Sequence, residues 1–198
     1  MGVGRGFVGV AAGVLLAATG CVSTNGPAPS PTPTDVASQP AGSPSPATDS
    51  ELAAANAEAL VREYYRGTDV VAKDPTDLTT LDAIAAEAEL QRLQAQFQQW
   101  ADDSWHQTGD LKVVELVTQT VTLEPSDGSV PSAQVDVCFD VTDLDIVDPS
   151  GASQVDPGRN DRGWDRLTVT NSAYDKNPDD GWRVTDAQTL EQEACAGQ

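Results

Sequence analysis

Large apolar side chains fall into three zones along this chain, and that partition limits where a folded core can form. Residues 7–18 are almost wholly apolar, residues 22–50 carry almost no large apolar side chain, and residues 51–198 have a globular mixture. A segment that buries little apolar area cannot offset the conformational entropy lost on ordering, so the middle zone has no means to fold alone. In a chain of 198 residues the third zone has room for one ordinary domain and hardly for two.

The first zone reads as an address. Arg5 precedes the apolar run Phe7–Ala18, which is too short for the ~20 residues a helix needs to cross a hydrocarbon core. Small residues follow in Ala17-Ala18-Thr19-Gly20-Cys21. This arrangement resembles the signal peptide and lipobox of bacterial lipoproteins, with Ala18 where that family usually has Leu. The resemblance implies removal of residues 1–20, diacylation of Cys21, and a chain lipid-anchored to the extracytoplasmic face of the cell membrane. Two or three acyl chains make such an anchor stable, whereas one is marginal. The alternative is a conventional secretory peptide that leaves Cys21 an incidental thiol.

Residues 21–50 then form the lipidated Cys and a tether. Pro27, Pro29, Pro31 and Pro33 alternate with small residues, and Pro40, Pro44 and Pro46 continue the bias. A segment of this composition stays disordered with polyproline II character, spanning on the order of 90 Å fully extended and about 30 Å as a coil. The formal net charge is −20 with a pI near 4.1, which excludes a general electrostatic footprint for nucleic acid or an anionic bilayer.

From Glu51 the periodicity becomes helical. Leu52, Ala59, Leu60 and Tyr64 recur at helical spacing, Ser50 is a candidate N-cap, and Gly67 reads as the stop. Thr79 or Thr80 can cap a second helical stretch reaching about Trp105, with a break near Ala85–Glu89. Ile84, Ala88, Leu93, Phe97 and Trp100 form its apolar stripe. The second half alternates as strands do. Leu111–Glu124 places Val113, Val117, Val121 and Leu123 on one face. Ala133–Val141 places Val135, Val137, Phe139 and Val141 opposite Asp136, Cys138 and Asp140, with Leu144, Ile146 and Val147 as an extension. Trp164–Tyr174 and Trp182–Leu190 supply two more strands. Turns such as Pro125-Ser126-Asp127-Gly128 and Asp148-Pro149-Ser150-Gly151 separate them. The expected fold is α+β, with N-terminal helices packed on a curved antiparallel four-stranded meander over residues 51–198.

That order of elements resembles the nuclear-transport-factor-2-like (cystatin-like) roll. The stretch Val135-Asp136-Val137-Cys138-Phe139-Asp140, the turn Val147-Asp148-Pro149-Ser150-Gly151, the strand Leu167-Thr168-Val169-Thr170, the opening Gly181-Trp182-Arg183-Val184 and the final Cys195 resemble secreted actinobacterial lipoproteins of unknown function. Relatives with this roll often enclose an apolar pocket, and some are isomerases or dehydratases.

With Cys21 assigned to lipid, Cys138 and Cys195 remain. Two thiols in an exported domain favour a disulfide, worth ~4 kcal/mol in the chain-entropy model. Two buried free thiols or a redox pair are the rivals, and the spacing lacks the C-x-x-C pattern.

Catalytic signals are sparse. His106 is the only histidine, and its place at a helix exit suits a surface or capping residue. No catalytic residue, zinc-type site or cofactor is expected. Asp136, Asp140, Asp143, Asp145 and Asp148 form the densest acidic series; its spacing is not that of an EF-hand, and it reads as a solvated, edge-protecting face. Residues 156–166, which mix Asp161 and Asp165 with Arg159, Arg162 and Arg166, read as a mobile polar loop and a candidate contact surface. Tyr64, Tyr65, Trp100 and Trp105 are candidate pocket lining, although aromatics at helical spacing serve the core more often. The expected function is a non-enzymatic binding or interaction module, meeting an unknown protein or a small apolar ligand and holding the membrane through its lipid. The alternatives are a pocket enzyme of the SnoaL or ketosteroid-isomerase type and an envelope regulator or immunity-type lipoprotein.

Overall fold

The computed structural model describes residues 46–196. The signal peptide, Cys21 and most of the tether lie outside the described residues.

Helix α1 spans Asp49–Lys73. Its N-cap is Thr48 and not Ser50, because Thr48 and Glu51 close a capping box: the Glu51 amide donates to Thr48 Oγ1 at 3.3 Å and the Thr48 amide to Glu51 Oε2 at 2.7 Å. Gly67 does not stop the helix. It lies buried inside it, where a Cβ would come within 2.7 Å of Ile84 Cδ1, so glycine here serves close approach of the next segment. The stop comes at Asp74, which precedes Pro75 and has left helical dihedrals. Ala53, Ala57, Val61, Tyr64, Val71 and Ala72 form the buried stripe.

The second helical stretch is two helices, α2 over Leu81–Ile84 and α3 over Glu87–Asp103. Between them Ala85 is extended and bridges in parallel to Val184, and the Ala86 amide donates to the Val184 carbonyl at 2.9 Å. Ser104, at φ 57°, caps α3 in the left-handed region.

Six strands follow: β1 His106–Thr108, β2 Lys112–Thr122, β3 Ser132–Asp140, β4 Asp145–Val147, β5 Arg162–Thr170 and β6 Arg183–Leu190. Four of them form one antiparallel sheet in the order β2-β3-β5-β6. The structure is therefore α+β, helices followed by antiparallel sheet, with α1 against β2 and β3 and α3 against β6. Gly128 and Gly151, at φ 77° and 82°, close the expected turns by donating to Pro125 and Asp148.

Three expectations are corrected here. Ile146 and Val147 do not extend β3. A turn in which the Leu144 amide donates to Val141 leads the chain away, and β4 pairs instead with β1. Val117 is not on the core face: register shifts between Val113 and Glu115 and between Thr118 and Thr120 change the phase, so Leu116 turns inward and Val117 outward. Strand β5 begins at Arg162, two residues before the expected Trp164, and ends at Thr170 rather than Tyr174, so the polar loop is shorter than expected.

The core joins Val61, Leu81, Ile84 and Leu93 from the helices to Val135, Val137, Leu167, Val169, Trp182 and Val184 from the sheet. Cys138 and Cys195 are joined by a disulfide, which ties the C-terminal tail to the central strand β3. Among the described residues no helix is long and apolar enough to cross a membrane.

Candidate functional site

Helical spacing sets one wall of a cleft of about 370 Å³. Tyr65, Thr68, Asp69 and Ala72 follow one another at i, i+3, i+4 and i+7 on α1, so their side chains share a face. From α3 come Arg92, Leu93, Gln96, Phe97 and Trp100; Gln107 of β1, Asp165 of β5, and Ala187 and Thr189 of β6 complete the enclosure.

Three polar clusters hold the walls. In the first, the Tyr64 hydroxyl donates to Glu89, which is 3% exposed, and Arg92 grips the same carboxylate through Nε and Nη2 at 2.8 and 2.7 Å. In the second, the Tyr65 hydroxyl donates to Asp165 Oδ2 at 3.0 Å and the Thr189 hydroxyl to Asp165 Oδ1 at 2.9 Å. Asp69 accepts from Gln107 Nε2 at 2.7 Å and from the Leu111 amide at 3.1 Å. The aromatic rings meet edge to face, Tyr64 on Tyr65 with centroids 5.3 Å apart and Phe97 on Trp100 at 5.4 Å.

Burial dominates the protonation of this region. It raises the Asp165 carboxyl above its ordinary value, against the opposing pull of the Thr189 and Tyr65 hydrogen bonds. It raises Asp69 in the same way, opposed by Gln107 and Leu111. Tyr64 and Tyr65 are both pushed up, first by burial and then by the negative charge of Glu89 and of Asp165 respectively. Both phenols are therefore donors at neutral pH.

Of the four aromatic residues proposed for a pocket, Tyr64, Tyr65 and Trp100 line this cleft. Trp105 does not, because the left-handed turn at Ser104 ends α3 before it and directs the chain into β1. His106 is an exposed residue of β1 paired with Val147. The acidic series does not form one solvated face. Strand β3 is internal to the sheet, so Asp136 and Asp140 are buried against Arg166 and Arg162. Asp143 pairs with Lys112, Asp145 accepts from Ser153, and Asp148 accepts from Ser150 and Ala152. Sequence reading missed Asp69, Glu89, Arg92, Gln107 and Asp165. The i, i+3 spacing of Glu89 and Arg92 signals an ion pair, but nothing local marks it as buried.

No family model matches the chain, and no curated protein sequence matches it. Among solved structures, the intermembrane space region of the chloroplast protein ARC6 is similar with a TM-score of 0.50. The identity is 16%, over 70% of this chain and 97% of that one. At that identity the likeness concerns the fold alone, and it supports the α+β arrangement. A de novo designed β-sheet protein aligns at 13% identity over 76% of this chain and 93% of its own, with a TM-score of only 0.26, and carries no argument.

Proposed function

We propose that this chain is a lipid-anchored extracytoplasmic protein whose nuclear-transport-factor-2-like roll binds a small ligand in the cleft between α1, α3 and the sheet. The observation that carries the reading is the cleft itself, with aromatic rings and fixed polar groups converging from five elements. Each cleft carboxylate has partners that hold it in place, which suits recognition. The lipobox-like Cys21 and the Pro-rich tether support the location, and the disulfide suits an oxidising compartment. The exposed large apolar residues Leu52, Val70, Val117 and Val130 are scattered over α1, β2 and a loop, which favours a cleft ligand over protein docking.

A thermal-shift screen of small molecules tests the reading. Some member should raise the melting midpoint, and Ala187→Phe, which fills the cleft, should remove that shift. A screen in which nothing shifts the wild-type chain would overturn it. Mass spectrometry of the mature chain should find Cys21 acylated; an intact, unmodified Cys21 would end the anchor reading.

One observation favours a second reading, a pocket enzyme of the SnoaL or ketosteroid-isomerase type. Asp165 is a carboxyl raised by burial beside the Tyr65 hydroxyl, a pairing suited to proton transfer at a carbon acid. In D₂O, such an enzyme would exchange protons of a ketone substrate for deuterium, and Asp165→Asn would stop the exchange.

A further inference from the structure

We propose that the cleft selects an organic cation: an amine or quaternary ammonium group carried on an apolar body. The inference rests on the ligand-binding reading above and names the ligand's charge and shape.

The charge argument begins with which acids already have a cation. Glu89 is taken in full by Arg92, the only basic side chain lining the cleft among the described residues. Lys73, the nearest lysine along α1 to Asp69, pairs with the exposed Asp110. Among the described residues, Asp165 accepts hydrogen bonds only from hydroxyls, and Asp69 only from an amide side chain and a main-chain amide. Each of these two acids has oxygen lone pairs left over. Among the described residues, the lining therefore presents two carboxylates with no guanidinium or ammonium hydrogen-bonded to them, Arg92 and Lys73 acting on Asp165 and Asp69 only at longer range.

The remaining lining is apolar and aromatic. Tyr65, Phe97 and Trp100 supply ring surface, and Leu93, Ala72 and Ala187 supply aliphatic surface. Aromatic groups beside carboxylates form the usual surroundings of a bound ammonium, since the ring quadrupole and the carboxylate attract the same charge. An anionic ligand would meet Asp69 and Asp165 directly. A neutral apolar ligand would displace water from both carboxylates and return no counter-charge. A bare metal ion fits poorly, because hard cations prefer several converging oxygens and no group of three or more His, Cys, Asp or Glu side chains is placed to hold one among the described residues. The net charge of −20 also draws cations toward the molecule at long range.

The cation's effect on Asp165 can be followed through its surroundings. Tyr65 faces it from α1, Glu89 and Arg92 from α3, and Thr189 from β6. A bound ammonium favours the ionised carboxylate, so binding weakens as acid protonates Asp165.

Isothermal titration of the purified full chain with three probes tests the proposal: benzyltrimethylammonium, its uncharged isostere neopentylbenzene, and phenylacetate. The cation should bind about tenfold or more tightly than the isostere, with phenylacetate weakest. Asp165→Asn and, separately, Asp69→Asn should each reduce affinity for the cation several-fold and leave that for the isostere the same or tighter, so that the preference for the cation narrows. Equal affinity for cation and isostere, or preference for phenylacetate, overturns the charge assignment and leaves the ligand-binding cleft standing. Binding of none of the three to a chain with a normal cooperative melt overturns both. The comparison of probes on the wild-type chain decides the matter even if a variant fails to fold.

Discussion

The two faces of strand β5 use the same chemistry in opposite ways. On the outer face, Arg162 and Arg166 stand opposite Asp140 and Asp136 of β3, each acid with its own guanidinium. On the inner face, one residue from Arg166, Asp165 has hydroxyl donors and, among the described residues, no cation hydrogen-bonded to it. The consequence for protonation is a reversal. Hydrogen bonds from Thr142, with help from Arg162, hold Asp140 well below the usual carboxylate range, whereas burial lifts Asp165 above it. Alternation along a strand is enough to separate an acid that holds the sheet together from an acid left for a guest.

Linkage gives the two acids opposite pH behaviour. Asp140 has a depressed folded value, so its contribution is present above the ordinary carboxylate range and is lost as pH falls through that folded value. Asp165 has a raised folded value, so it favours the folded state in acid, and that advantage is lost as pH rises through the folded value.

The largest expected effect lies on the outer side, where the tail is tied down. Cys195→Ala should cost about 4 kcal/mol in denaturant melts, since it frees a loop of sequence separation 57; a cost below about 1 kcal/mol would show that the tie constrains little. Next is Arg92→Met, which leaves the buried Glu89 carboxylate without its guanidinium and should cost about 2 kcal/mol, discounted because Arg92 is half exposed. Tyr65→Phe deletes a donor to Asp165 and should cost about 1 kcal/mol by the same measurement. The smallest effect is the most diagnostic. At neutral pH, Asp140→Asn should lower the melting midpoint and Asp165→Asn should raise it slightly, the second gain fading below the ordinary carboxylate range. Shifts of the same sign would break the contrast between the faces.

The sheet was the more legible half. Clean alternation from Ala133 to Val141, with turn residues at either end, marks β3 and its neighbours without tertiary information. Helix α1 was harder to delimit, because a glycine that breaks helices by propensity is here kept for the approach of Ile84, a contact made across a turn. The cleft was legible only in its aromatics. Its carboxylates acquire their meaning from partners far along the chain: Tyr65 reaches Asp165 across 100 residues, and Tyr64 reaches Glu89 across 25. Local pattern leaves the start of β5 ambiguous between loop and strand because both faces of Arg162–Arg166 bear charge, and only the register with β3 shows that the outer charges are neutralised in pairs.

The stitch between Ala86 and Val184 has a bearing on how such a protein can change over time. Main-chain bonds anchor the start of α3 to β6, and they do not depend on the identity of any side chain. Gln96 and Trp100, further along the same helix and only partly buried, can therefore be exchanged for other residues without losing that anchor, whereas Leu93 and Phe97 also belong to the core. A lineage holding this scaffold can re-face the wall of its cleft and acquire a new preference while its architecture stays put.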